Sequence, residues 1–237
     1  MWFKLSSDHR RRLKLESLQA IRPAPDGQHA ELTIGCQVVL CERVLFSTPR
    51  VIKLDYTIEE LQATLRLDAQ PEVPWPDPTE LKRRSFELML TDRGAVIVPE
   101  DKGPSAKRLT SWLGMVIEDL RSSWPVPPEG LTLGQRFDAT PVLPDLPQDT
   151  LHAEVHAEHQ VVALALPPAT IDVTYRVLLR LKDQQAVVNG EGAGQMVVVL
   201  HEEQGLMSAK RQSTVVVGAP DRRRQVMASQ MQITSEI

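Results

Sequence analysis

The sequence predicts a mainly β protein of the α+β class: a large curved antiparallel sheet or half-barrel from two β-rich halves, with one principal helix packed on it. Long stretches in both halves alternate apolar and polar residues with period two. Short polar turns join these stretches, as in an antiparallel meander. One segment, at about residues 105–122, instead repeats its apolar residues at helical spacing.

The N-terminal half contains the first alternating stretches. Residues 30–40 place Ala30, Leu32, Ile34, Cys36, Val38 and Leu40 on one face. Residues 60–68 place Leu61, Ala63, Leu65 and Leu67 on one face. Residues 86–90 and 95–98 predict a hairpin that turns at residues 91–94.

The predicted helix follows this hairpin, between Pro104 and Pro125. Its apolar residues share one stripe, which must pack on another element, and the sheet is the available one. The stripe consists of Leu109, Trp112, Leu113, Val116, Ile117 and Leu120.

The C-terminal half repeats the alternation over residues 173–181, 186–200, 206–217 and 222–235. A proline-rich stretch, residues 141–147, precedes it and is the best candidate for a boundary. We therefore expect an N-terminal half at residues 1–140, with hairpin and helix, and a C-terminal meander at residues 141–237. The two halves would share one sheet or one core as a continuous structural unit.

The hairpin around Leu90-Thr91-Asp92-Arg93-Gly94-Ala95-Val96 and the connector Pro125-Val126-Pro127-Pro128-Glu129-Gly130 to Phe137 carry a resemblance. This layout resembles a group of uncharacterised bacterial β-rich proteins, many of them secreted lipoproteins, in which the connector ends in Trp rather than Phe. The group's layout is similar to the half-barrel of lipoprotein-carrier proteins. The resemblance implies the architecture and no catalytic residues.

Three glycines on one face of a strand suggest a binding surface. Gly190, Gly192 and Gly194 leave that face without side chains over about 13 Å. The gap would be filled by the helix that carries Trp112, by a sharp bend of the sheet, or by an apolar ligand. The predicted ligand-binding set is Gly190, Gly192, Gly194, Met196, Trp112, Val116, Met227 and Met231.

A histidine-rich strand is the candidate metal site. His152, Glu154 and His156 alternate on one face, where neighbouring side chains lie about 6.6 Å apart. The alternative is the polar outer face of an edge strand. No other cofactor is indicated, and the glycine run lacks the spacing of a phosphate loop. The sequence also lacks the nucleophile-elbow pattern of serine hydrolases.

Three basic clusters, each at the start of a predicted strand, are candidate contacts for an anionic partner, or else solvated charge that guards strands from aggregation. Nucleic acid is not an expected partner, because the net charge is −4 and only 4% of residues are aromatic. The candidate contacts are Arg10, Arg11, Arg12, Arg83, Arg84, Arg222, Arg223 and Arg224.

The remaining features bear on compartment and activity. Cys36 and Cys41 have opposite parity on one strand, so they cannot pair, and reduced thiols suit a reducing compartment. No apolar run is long enough to span a bilayer. The sequence favours a cytoplasmic protein, or a periplasmic or outer-membrane-associated one if a leader has been removed.

The favoured function is a non-enzymatic binding or assembly protein that engages a protein partner, an apolar small molecule or a lipid through its concave sheet and helix. The alternative is an enzyme or metal-binding protein that uses the face of His152, Glu154 and His156.

Overall fold

The computed structural model of the chain contains twelve strands in the part that it describes. Described are residues 4–6, 8–23, 31–48, 50–68, 70–74, 82–91, 94–98, 120–121, 123–124, 132–138, 152–165, 169–182, 187–201, 203–218 and 225–236. The strands are β1 (Arg10–Pro23), β2 (Leu32–Ser47), β3 (Val51–Leu67), β4 (Val73–Pro74), β5 (Ser85–Thr91), β6 (Gly94–Val98), β7 (Arg136–Asp138), β8 (His152–Ala165), β9 (Ala169–Lys182), β10 (Val187–His201), β11 (Gly205–Gly218) and β12 (Gln225–Glu236).

All twelve strands belong to one open antiparallel sheet. Their order is β6-β5-β3-β2-β1-β12-β11-β10-β9-β8-β7, and the short β4 also pairs with β3. Each half of the chain is a meander of neighbouring strands, and β1 pairs with β12 where the halves meet. The first and last long strands therefore lie in the middle of the sheet.

The predicted antiparallel sheet is confirmed, and the predicted strands match β2, β3, the β5–β6 hairpin and β9 to β12. The predicted helix falls almost entirely outside the described residues. Of residues 105–122, the structure describes only Leu120 and Arg121, which are helical, and the rest lie outside the described residues. The proposed boundary at residues 141–147 also lies outside them.

One face of the sheet forms the core, and we call it the inner face. The buried leucines of β1 on this face are Leu13 and Leu15, and their partners in β2 are Leu40 and Val38. The same parity continues into the C-terminal half, where Ile233 of β12 lies opposite Leu15. The buried residues of both halves form one cluster, and each fully buried aliphatic side chain contributes about 1.5–3 kcal/mol.

Two β-bulges fall in the same row of the sheet. Between the partners of Val39 and Leu40, strand β3 has one extra residue, Glu59, and between the partners of Val199 and Leu200, strand β11 has one extra residue, Met207. Val39 and Val199 belong to one row of cross-strand pairs, in which Lys14, Thr234 and Ser208 lie between them in that order. Because a bulge bends its strand and increases the local twist, we expect β3 and β11 to bend at this row.

The glycine-rich strand β10 has the predicted parity. Gly190, Met196 and Val198 are buried on the inner face, whereas Gln195 is exposed on the other. At Gly192, a Cβ atom would collide with the Thr214 carbonyl oxygen and lie 2.7 Å from the Val215 Cα. The backbone of the neighbouring strand β11 lies at this position, and the helix segment with Trp112 lies outside the described residues, so the three alternatives for the gap stay predictions.

We expect Gly192→Ala to lower the free energy of unfolding by about 1–3 kcal/mol, because the added methyl group meets backbone atoms that cannot turn aside. Gly35→Ala is the matched control. Its Cβ would lie 2.9 Å from the Thr64 Oγ1 atom, the end of a side chain that can rotate. Urea unfolding of both variants checks this, and equal losses would contradict a special constraint at Gly192.

Candidate functional site: an open apolar zone on the inner face

The inner face is not closed along its whole length. Six residues, one on each of the adjacent strands β3, β2, β1, β12, β11 and β10, form a row of cross-strand pairs, and none of them is buried. These positions are Leu67, Leu32, Ile21, Met227, Val215 and Gly192, in that order across the sheet. Met227 is 37% exposed and Leu67 is 42% exposed. We call this row the open apolar zone.

The neighbouring row on the inner face is also half-buried. It consists of Leu65, Ile34, Gln19, Ser229, Ser213 and Gly194, in the same strand order. Its outer members are apolar or lack a side chain, and its three central members are polar. Beyond it the face becomes buried, with Cys36 and Met231 each only 4% exposed.

The open apolar zone is large enough to contact an extended hydrocarbon chain. Six adjacent strands are separated by five spacings of about 4.8 Å, so the row is about 24 Å long. One leaflet contributes about half of the roughly 30 Å hydrocarbon thickness of a bilayer. The row is therefore longer than one acyl layer is thick.

The structure divides the predicted ligand-binding residues into three groups. Gly192, Gly194 and Met227 lie half-exposed in the two open rows. Gly190, Met196 and Met231 are buried on the same face. Trp112 and Val116 lie outside the described residues, so their role stays a prediction. The predicted ligand-binding set did not include Ile21, Leu32 and Val215, although the alternation of each strand could have placed them on the same face.

A buried polar cluster lies on the inner face near the other end of β1, and sequence reasoning missed it. Glu42 is fully buried, and its Oε1 atom accepts a hydrogen bond from Arg11 Nε at 2.6 Å. Its Oε2 atom accepts one from the buried Tyr56 hydroxyl at 2.6 Å. His9 Nε2 lies 3.2 Å from Oε1, and Arg11 Nη1 donates to the Leu206 carbonyl oxygen at 2.6 Å.

The cluster changes the acidity of its members. Burial would raise the pKa of Glu42, but the Arg11 charge and the hydrogen bonds from His9, Arg11 and Tyr56 outweigh it and hold that pKa below its ordinary value. Burial, and then the Glu42 charge, raise the pKa of Tyr56 well above its ordinary value. At neutral pH Glu42 is therefore a carboxylate and Tyr56 a neutral donor.

The first basic cluster is split between the two faces. Arg11 is 6% exposed and engaged by Glu42, whereas Arg12 is 55% exposed and pairs with Glu59 on the outer face. Arg10 donates to the Cys41 Sγ atom at 3.2 Å. Arg11 is thus a core residue and not the surface contact that the sequence suggested.

The first two basic clusters lie near one row of the sheet, and the third lies outside the described residues. Arg12 pairs with Cys41, Cys41 with Thr57, and Thr57 with Ser85, so these four residues form one row across the sheet. Ser85 directly follows Arg83 and Arg84 in the chain. The third cluster, which lies outside the described residues, immediately precedes Gln225 in the chain. Gln225 pairs with Pro23, about 36 Å along β1 from Arg12. The third cluster comprises Arg222, Arg223 and Arg224.

The candidate metal strand is β8. Its register places His152 opposite Lys182, Glu154 opposite Arg180 and His156 opposite Leu178. Two of these three positions thus face basic residues across the ladder. Within the described part of the chain no group of three His, Cys, Asp or Glu residues could hold a metal ion, and the side chains of residues 152–159 lie outside that part. The metal site stays a prediction.

The two cysteines are as predicted, free and on opposite faces. Cys36 lies opposite Ser17 on the inner face, and Cys41 lies opposite Arg12 on the outer face. Both are buried.

Two hollows lie away from the open apolar zone. One, of about 520 Å³, is lined mainly by outer-face polar side chains that include Gln37, Gln212 and Gln230. The other, of about 660 Å³, lies near the start of β1 and is lined in part by His9 and Arg10. The apolar candidate is therefore a sheet surface and not an enclosed cavity.

Comparison with known proteins supports the fold. No protein-family model and no curated protein matches the sequence, so the bacterial family resemblance stays a prediction. A solved structure of lipovitellin, described under the words "lipid-protein interactions in lipovitellin", is similar over 99% of this chain, with a TM-score of 0.62 and 8% identity. The chain spans only 26% of that protein. In the described residues, no helix has the length and apolar character needed to cross a membrane.

The buried cluster predicts a pH-dependent loss of stability. We expect Glu42→Gln to lower the free energy of unfolding at pH 7 by about 3–5 kcal/mol, because it leaves the buried Arg11 charge uncompensated. The folded pKa of Glu42 is lowered, so its contribution is complete above the unfolded pKa of about 4.3 and is lost as the pH falls through the folded pKa. The difference between wild type and variant should shrink in that acidic range.

The control is Glu59→Gln, which breaks the neighbouring and more exposed pair with Arg12. It should cost no more than about 1 kcal/mol. Urea unfolding at pH 7 and at several acidic pH values measures both variants. A Glu42→Gln difference that is small, or constant with pH, would contradict the assigned role.

Proposed function

We propose that the protein binds lipids or other apolar-chain molecules on the open apolar zone of its sheet. The main support for this proposal is that the zone is continuous. It consists of paired apolar residues from five strands and Gly192 from a sixth, all half-exposed beside the closed core. Burying such a surface under a hydrocarbon chain is favourable by about 25 cal/mol per Å².

The chemistry of the zone supports an adaptable apolar ligand. Met227 lies at its centre, between Ile21 and Val215. Methionine is flexible and polarizable, so it adjusts to chains of different shape. Exposed apolar surface that is contiguous, rather than scattered, is typical of interaction sites.

The structural similarity supports the same proposal through the fold. Lipovitellin, the protein of the similar structure, is described there for its lipid–protein interactions, and the similarity covers nearly all of this chain. Function does not follow from fold alone, so the proposal rests on the zone itself.

The test places a charge in the zone. We expect Met227→Lys to weaken binding of N-phenyl-1-naphthylamine, an uncharged apolar fluorescent probe, about 10-fold or more, because a lysine ammonium must be desolvated under the ligand. Val216→Lys is the matched control. It lies on the outer face of β11 and is 39% exposed, close to the 37% of Met227.

Fluorescence titration measures the affinity of each variant, and thermal unfolding shows that both remain folded. Lipid extracted from purified protein and identified by mass spectrometry reports the natural ligand. Equal weakening by Met227→Lys and Val216→Lys, or no saturable binding of probe and no extracted lipid in wild type, would overturn the proposal.

A further inference from the structure

The open apolar zone is only one residue wide at its centre. On β1, β12 and β11, the next inner-face residues toward the closed core are Gln19, Ser229 and Ser213, and all three are polar. Residues on the same face of a strand lie about 7 Å apart. The apolar surface of these three strands is therefore a narrow strip and not a broad patch.

The polar residues on this side of the strip have partners within the protein. The Ser213 and Ser229 hydroxyl oxygens lie 2.5 Å apart and form a hydrogen bond across the two strands. Gln19 also makes an interaction within the protein. Covering such groups with hydrocarbon removes them from water and offers them no new partner, which costs free energy. These residues therefore form a border that an apolar chain avoids.

The opposite side of the strip is the end of the sheet. Leu32 is the first residue of β2, and Leu67 is the last residue of β3. Strand β12 begins at Gln225, an exposed residue that lies two positions before Met227 on the same face. Met227, at the centre of the zone, thus has a polar residue on each side along its strand, Gln225 and Ser229.

The strip has the dimensions of one extended hydrocarbon chain. Carbon atoms in contact lie about 4 Å apart, so one chain needs a strip about 4 Å wide and two adjacent chains need about 8 Å. A single row of side chains, about 7 Å wide, is enough for the first arrangement and too narrow for the second. The zone is about 24 Å long across its six strands, so a chain perpendicular to the strands contacts several of them.

We propose that the open apolar zone binds one unbranched hydrocarbon chain that lies across the strands, and that its polar borders exclude branched and paired chains. This inference rests on the proposed function and adds the ligand class. Leu65 and Ile34 widen the apolar surface where the zone crosses β3 and β2. The restriction on width therefore lies at the centre, where Gln225 and Ser229 flank Met227.

The first experiment compares two isomeric alcohols, hexadecan-1-ol and 2-hexyldecan-1-ol. They have the same formula and the same hydroxyl group, but the second carries two chains side by side. Each displaces N-phenyl-1-naphthylamine from wild type and from Ser213→Ala/Ser229→Ala, a variant with a wider apolar strip. This variant removes both members of a hydrogen-bonded pair, so it leaves neither hydroxyl without its partner. Thermal unfolding shows that it remains folded.

The matched control is Thr57→Val/Ser85→Ala. It also removes a pair of hydroxyl groups that hydrogen-bond across two strands, with their oxygen atoms 2.9 Å apart. This pair joins β3 to β5 on the outer face, in the same row as Arg12.

We expect wild type to bind hexadecan-1-ol about 10-fold or more tightly than its branched isomer, because each methylene group that does not reach the strip loses about 4-fold in affinity. Ser213→Ala/Ser229→Ala should strengthen binding of the branched isomer by about 4-fold or more and leave hexadecan-1-ol nearly unchanged. Thr57→Val/Ser85→Ala should change neither affinity.

A second measurement tests the direction of the chain. Leu67 and Val215 lie four strand spacings apart in the zone, a distance of about 19 Å. A chain that lies across the strands contacts both residues, whereas a chain that lies along one strand contacts at most one of them. We expect Leu67→Lys and Val215→Lys each to weaken binding of hexadecan-1-ol about 10-fold, because the ammonium must be desolvated under the chain.

Three results would overturn the inference. One is equal binding of the two isomers to wild type, which keeps apolar binding but removes the limit on width. Another is a gain for the branched isomer in Ser213→Ala/Ser229→Ala that is absent or no larger than in the outer-face control. The third is wild-type binding of hexadecan-1-ol by Leu67→Lys or by Val215→Lys. Failure of the proposed function is distinguishable, because then neither the probe nor either alcohol binds wild type.

Discussion

The pairing of β1 with β12 is the constraint on which the rest of the structure depends. It joins two meanders from opposite ends of the chain into one sheet, and the rows of the inner face cross it. A slip of one residue in this pairing would turn the side chains of one half to the other face. Leu15 would then lose Ile233 as its buried partner, and Ile21 would lose Met227. Core and candidate site therefore depend on the same register.

The two ends of the inner face differ because their residues satisfy burial in different ways. Toward the start of β1, large apolar side chains fill the space and the Arg11–Glu42 pair is enclosed. Toward its end, Ser213, Ser229 and the glycines of β10 replace bulky residues. Small and polar groups cannot close a face by packing, so the apolar row beyond them stays half-exposed. The open apolar zone thus follows from residue size as much as from hydrophobicity.

Local alternation was enough to predict the strands, the parity of β10 and the separation of the two cysteines, because each depends on neighbours in sequence. The β1–β12 seam could not be predicted in this way, since it joins residues more than 200 positions apart and needs the register of the whole sheet. The same limit explains Arg11. Three consecutive arginines suggest a charged surface, yet alternation in β1 turns the middle one inward, where Glu42 lies opposite it on β2. Of the residues in the open apolar zone, only Gly192 and Met227 were in the predicted ligand-binding set.

Arg11 shows how the inner face accommodates positive charge. Arg11 has a carboxylate supplied by the protein, and the Arg11 charge, together with hydrogen bonds from His9, Arg11 and Tyr56, holds the pKa of Glu42 below its ordinary value. Arg11 Nε and Nη1 donate to Glu42 and to the Leu206 carbonyl oxygen, whereas Arg11 Nη2 is buried without a hydrogen-bond partner among the described residues. The carboxylate thus offsets the charge of a side chain whose donors are not all satisfied. Removing that carboxylate leaves a buried charge without compensation, so the cost falls on stability.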